Sequence, residues 1–280
     1  MNAYEKKLEI SQMLRKFLLV FGTVLSLTHP AWADERHFAY SYEADAILPR
    51  GEKEFESWVT HRSGRGGGTF SRWDLREEVE YGLTEHLTTA LYLNVEKVYS
   101  DGLPDQEDED SFEVKGISSE WKYMISSPHL NPIGILGYAE LSVEEHETEL
   151  EEKLILEHIL NDTLILALNI VLEQEWNDES GETEKEAFLE LTAGISCPIN
   201  PHWSVGLEGR NVRAFPDGLD YGEQESSAWF FGPNFHYGSD GFSVTCAILP
   251  QVHGTPDTRN GLFLEDHEKL ELRLIAGVSL

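Results

Sequence analysis

Over residues 163–176 the chain alternates: Leu164, Leu166, Leu168, Ile170, Leu172 and Trp176 belong to one every-second-residue set, interrupted at Gln174, and Thr163, Ala167, Asn169, Glu173 and Glu175 belong to the other. Side chains of a strand point to its two faces in turn, so this run has one face apolar but for Gln174 and one mixed to polar face. Its length is about that of a tilted strand crossing a bilayer, roughly 9–11 residues. The same alternation returns in Leu87, Thr89, Leu91, Leu93 and Val95, in Ala187, Leu189, Leu191, Ala193 and Ile195, and in Trp203, Val205 and Leu207. Leu270, Leu272, Leu274, Ala276, Val278 and Leu280 close the chain in the same manner. Aromatic residues near strand ends, among them Trp73, Tyr81, Tyr99, Trp121, Trp176, Trp203, Trp229 and Tyr237, suit the girdles that such strands place at membrane interfaces.

Thirteen segments carry the strand pattern: residues 37–47, 52–62, 70–81, 86–99, 112–125, 133–145, 149–160, 163–176, 185–197, 202–213, 226–237, 241–250 and 268–280. The connections between them alternate in length. Tight turns at 82–85, 126–132, 161–162, 198–201 and 238–241 separate longer polar loops at 63–69, 100–111, 177–184, 215–225 and 251–267. Outer-membrane barrels have short periplasmic turns and longer outer loops, and single-chain bacterial barrels have even strand numbers. The spacing therefore predicts an all-β chain, an antiparallel transmembrane β-barrel of twelve strands with short periplasmic turns and longer acidic outer loops. Residues 37–47 are then either an extra strand or a lumenal piece ahead of the barrel, unless one boundary is misplaced. Residues 143–160 have a second reading, because Leu150, Leu154 and Ile159 also fit one helical face. The alternation of Leu150, Leu154, Leu156 and Leu160, and the turn after them, favour the strand.

The N-terminus sets the compartment. Lys6, Lys7, Arg15 and Lys16 precede an apolar run at residues 17–27, and Ala31-Trp32-Ala33 follows, which is the order of a secretory signal peptide with its small-residue cleavage site. Residues 1–33 are expected to be removed, leaving 34–280 as a single outer-membrane barrel domain. The formal charge of the whole chain is −30. Removal of four basic and two acidic residues leaves 49 acidic against 17 basic, a charge of −32. So acidic a surface repels nucleic-acid phosphate and excludes a DNA or RNA partner. Cys197 and Cys246 are expected as unpaired small apolar residues rather than a bridge.

The mature N-terminus at residues 33–51, the segment Glu54-Phe-Glu-Ser-Trp-Val-Thr-His-Arg62 and residues 71–94 resemble an uncharacterised family of proteobacterial outer-membrane barrels. That family is loosely similar to the transporter-like barrels labelled as belonging to a phenol-degradation pathway. The similarity is dense over about residues 33–95 and architectural beyond them. It implies location and fold and brings no functional residue with it.

If the apolar sets face lipid, the opposite sets line a lumen: Arg72, Asp74, Arg76, Glu78 and Glu80 on one strand, with Asn94, Glu96, Glu120, Lys122, Tyr138, Glu140, Asn169, Glu173, Glu208, Arg210, Glu271 and Arg273 on others. This mixed-charge interior with acid in excess suits either a wet channel favouring cations or polar solutes, or a small barrel filled by cross-strand Arg and Glu pairs. The acidic run at residues 105–110 lacks the Gly and the final acid of an EF-hand loop. Its carboxylates could still bridge to lipopolysaccharide through divalent ions. Residues 64–68 are glycine-rich with no helix after them, so they make no phosphate cradle. His146-Glu147 begins a zinc-protease motif that fails at Leu150, and no G-x-S-x-G element is present. No catalytic residue, metal ligand or cofactor is implied.

The leading functional expectation is an outer-membrane pore or transporter for small solutes, not an enzyme, in contact with outer-membrane lipid and lipopolysaccharide. A structural or surface-interaction barrel with a filled lumen is the alternative. An enzyme acting on envelope lipids and a soluble periplasmic β-sandwich stand further back.

Overall fold

The computed structural model describes residues 36–104, 106–161, 164–178, 183–216, 218 and 223–280. Residues 1–33, read as the signal peptide, lie outside the described residues, as do Asp105, Asp162 and Thr163. Twelve strands are present among the described residues: β1 (Lys53–Ser63), β2 (Thr69–Gly82), β3 (Leu87–Asp101), β4 (Glu109–Ser126), β5 (Gly134–Glu144), β6 (Glu147–Leu160), β7 (Leu164–Asn177), β8 (Glu184–Asn200), β9 (Trp203–Phe215), β10 (Ser226–Ser239), β11 (Phe242–Thr255) and β12 (Leu270–Ser279). Each pairs antiparallel with its neighbours in sequence, and β1 pairs with β12 to close the barrel, Trp58 opposite Ile275. Closure leaves no strand edge unpaired, which a sheet crossing hydrocarbon requires.

Burial is inverted relative to a water-soluble domain. Leu91 is 65% exposed on the outer face, and Ile117, Leu141, Leu168, Ile170 and Leu207 on other strands are exposed likewise, whereas Glu78, Glu120, Lys122 and Glu208 are fully buried inside. Water would penalise that arrangement and lipid favours it. A closed sheet with this polarity excludes the two-sheet sandwich. Glu77 breaks the alternation: it lies on the outer face and accepts a hydrogen bond from the Ser57 hydroxyl at 3.1 Å on the neighbouring strand. Cys197 and Cys246 are both free.

The region that also fitted a helix forms β5 and β6, joined by Glu145 and His146 alone. That connection lies at the long-loop end yet spans two residues, an exception to the loop-length rule. The surplus segment, residues 37–47, is the lumenal piece. Residues 36–48 belong to no strand and run inside the barrel, Phe38, Ala39, Tyr40, Tyr42, Ala44, Ala46 and Leu48 all buried. Tyr42 packs edge-on against Tyr138 with ring centres 5.4 Å apart, within an apolar cluster that includes Trp58, Leu136, Ile155, Phe230, Leu249 and Ile275. Gly194 makes room for Phe38, since a Cβ there would lie 2.5 Å from the ring.

Candidate functional site

A backbone segment inside a barrel has no ladder to join, so its N–H and C=O groups must find side chains. Glu208 on β9 accepts the N–H groups of Ala39, Tyr40 and Ser41 at 2.8, 2.7 and 2.9 Å. Asn169 on β7 accepts from the Tyr42 N–H at 2.6 Å and donates to the Tyr42 carbonyl at 3.0 Å, while the Thr192 hydroxyl donates to the same amide oxygen at 3.0 Å. Glu157 on β6 accepts from the Ala44 N–H at 2.8 Å, and the Thr88 hydroxyl on β3 from the Leu48 N–H at 2.9 Å. Asn234 on β10 donates to the His37 carbonyl at 2.8 Å. Side chains from strands around the wall thus hold one peptide segment across the lumen.

Beside this segment, near the short-turn ends of β1 and β2, lies a buried acidic floor. Register sets Glu54 opposite Glu80 and Glu56 opposite Glu78 on β1 and β2. Lys122 is bound to Glu80 and lies 3.3 Å from Glu120, which also accepts from the Tyr92 hydroxyl at 2.5 Å. Arg36, from the lumenal segment, stands 3.8 Å from Glu56 and 4.6 Å from the ring centres of Tyr42 and Trp58.

Toward the long-loop end the charges separate by wall. On β1, β2, β9 and β12, Arg62 is bound to Asp74, and Arg72 lies 2.7 Å from Asp74 and 2.6 Å from Glu96. Arg210 lies 2.6 Å from Glu190 and 2.7 Å from Glu271. Arg76 is bound to Glu140 and donates to Asn94 at 3.1 Å. Arg273 donates to Thr60 at 2.9 Å and lies over the Tyr40 ring at 4.1 Å. Across the barrel, β6 and β7 set Glu151 opposite Glu173 and Glu149 opposite Glu175, with Lys153 at 2.8 Å from Glu151. One wall of the vestibule is therefore arginine-rich and the facing wall is carboxylate-rich.

The positions named from sequence divide between these levels. Asn169, Glu208 and Tyr138 meet the lumenal segment, Glu78, Glu80 and Glu120 form the floor, and Arg72, Asp74, Arg76, Asn94, Glu96, Glu140, Glu173, Arg210, Glu271 and Arg273 belong to the charged vestibule or its border. Sequence reasoning missed Glu157, Thr88 and Asn234, whose partners are backbone groups far away in the chain. Lys122, placed on the lumenal face beside Glu120 by alternation, is the counter-ion of the floor, a role that alternation alone does not assign.

Residues 30–280 match the model of a family described as a family of unknown function (DUF6662). No curated protein matches the chain. Among solved structures, an outer-membrane channel from Pseudomonas putida F1 is similar with a TM-score of 0.63 and 13% identity, over 84% of this chain and 97% of that one. The NanC porin is similar with a TM-score of 0.50 and 12% identity, over 81% and 98%. At such identities the likeness is one of fold, and the fold is that of outer-membrane channel barrels. Neither description carries the phenol-degradation label.

Proposed function

As the chain belongs to the DUF6662 family, whose function is unknown, the lumen has to carry the assignment, and we propose an outer-membrane channel for small polar solutes, held closed by its N-terminal segment. The observation that carries this reading is the way residues 36–48 are held. They sit in the lumen through side-chain hydrogen bonds and packing and contribute no strand, so their departure would leave all twelve strands paired. With cleavage after Ala33, a free end would begin two residues before Arg36, short enough to withdraw. The described solved structures of similar fold are a channel and a porin, which agrees with conduction rather than catalysis. The vestibule charges would act on solute: carboxylates on β6 and β7 draw cations, arginines opposite orient the negative end of a polar molecule, and acid in excess favours cations overall.

Planar-bilayer recording of the refolded mature chain tests this. The full protein is expected to show rare or small openings, and a variant lacking residues 36–46 stable conductance. A deletion variant that folds, by its heat-dependent gel mobility, yet passes no current would overturn the reading. The apolar cluster around Tyr40 and Tyr42 favours the second reading, a structural barrel with a filled lumen. That reading expects the deletion variant to lose its fold.

A further inference from the structure

The acidic floor holds more negative charge than its own cations offset. Glu56, Glu78, Glu80 and Glu120 are each at most 2% exposed, and among the described residues the cations paired with them are Lys122 and Arg36. Lys122 is committed to Glu80 and Glu120, and among the described residues the ion-pair contact of Arg36 is with Glu56, at 3.8 Å. The Trp58 indole N–H is divided between Glu56 Oε2 at 3.0 Å and Glu78 Oε2 at 3.1 Å. This leaves Glu78 Oε1 buried with no hydrogen-bond partner among the described residues. One oxygen from each of Glu56, Glu78 and Glu80 lies within 4.8 Å of the others. Gly277 lets the carboxylates close up on this wall, since a Cβ there would stand 2.4 Å from Glu54 Oε1 and 3.4 Å from Glu56 Oε1.

Carboxylates gathered out of water must be neutralised by a proton or a cation. We propose that Glu56, Glu78 and Glu80 form a divalent-cation site of the calcium class, built across the β1–β2 pair, with Glu78 Oε1 as the ligand the protein itself leaves unpartnered. Calcium takes oxygen ligands at about 2.3–2.6 Å in flexible geometry, so three oxygens within 4.8 Å of one another can share one ion, while magnesium demands near-ideal octahedral geometry and usually keeps several waters. The sequence shows no ligand motif because register creates the site: Glu56 and Glu78 are cross-strand partners, and Glu78 and Glu80 share a face two residues apart. Arg36 and the ion share Glu56, so they compete, and ion occupancy bears on the hold of the lumenal segment. The site does not depend on whether the barrel conducts.

The test uses the refolded mature protein in detergent, stripped with chelator and titrated with terbium under tryptophan excitation, then with calcium by calorimetry. Wild type is expected to give saturable terbium emission that calcium displaces. Glu78→Gln should weaken the calcium affinity at least tenfold, and Trp58→Phe should remove most of the sensitised emission while keeping calcium binding. Arg36→Ala should tighten binding several-fold. Glu77→Gln, on the outer face of the same strand, should change nothing. Gel mobility checks folding, and Glu56→Gln or Glu80→Gln substitutes if Glu78→Gln does not fold. Calcium binding unaltered by all the floor variants that fold would place the ion elsewhere, as at Glu147, Glu149 and Glu175, and overturn the proposal. Absence of millimolar calcium binding by wild type would overturn it too, leaving protons to neutralise the floor.

Discussion

Glu208 accepts three consecutive backbone N–H groups from a fully buried position, a stronger hold than any single neutral contact on the lumenal segment. A hydrogen bond to a charged group contributes about 1.5–3 kcal/mol, so truncation also leaves three buried donors unsatisfied. Glu208→Ala is expected to free the middle of the segment. In a background with Cys197 and Cys246 replaced by Ser, a Ser41→Cys probe should be labelled slowly by a thiol reagent, and at least tenfold faster once Glu208→Ala is added. Equal rates would show that packing alone retains the segment. Residues such as Asn169 and Glu208 were legible as inward-facing from alternation. Their role was not, because a carboxylate that binds solute and one that binds a peptide segment read identically until the segment is in place.

At the scale of the strand, alternation located β7, β3 and β12 because lipid and lumen impose opposite polarities on successive side chains. The same rule gives a test. Ile170 is exposed on the outer face in the middle of β7, next to the inward Asn169. Ile170→Arg should destabilise the barrel by about 2–4 kcal/mol in denaturant unfolding from lipid vesicles, as expected for an arginine near the bilayer midplane. Alternation failed to decide residues 37–47. An extended segment in a lumen lies between unlike walls just as a strand does, and only its hydrogen-bond partners distinguish the two. The β5–β6 connection also escaped the loop rule, since two residues suffice wherever a hairpin closes tightly.

For the whole molecule, acid excess predicts cation preference once the lumen is open. In the variant lacking residues 36–46, the reversal potential under a potassium chloride gradient should report cation selectivity. Neutralising Glu149, Glu173 and Glu175 together to Gln should move it toward zero or to the anion side while conductance persists. An unchanged potential would remove β6 and β7 as the selective wall. Architecture and the identity of the two faces were determined by the sequence itself, because polarity at every second residue is a local property that a membrane reads strand by strand, whereas the count of twelve needed the even-number rule to set aside one of thirteen alternating segments. Which inward residues meet each other was decided only by the tertiary structure. Closure of β1 on β12 and the register of each pair bring together groups more than two hundred residues apart. That juxtaposition produced the held segment, the two charged walls and the carboxylate floor.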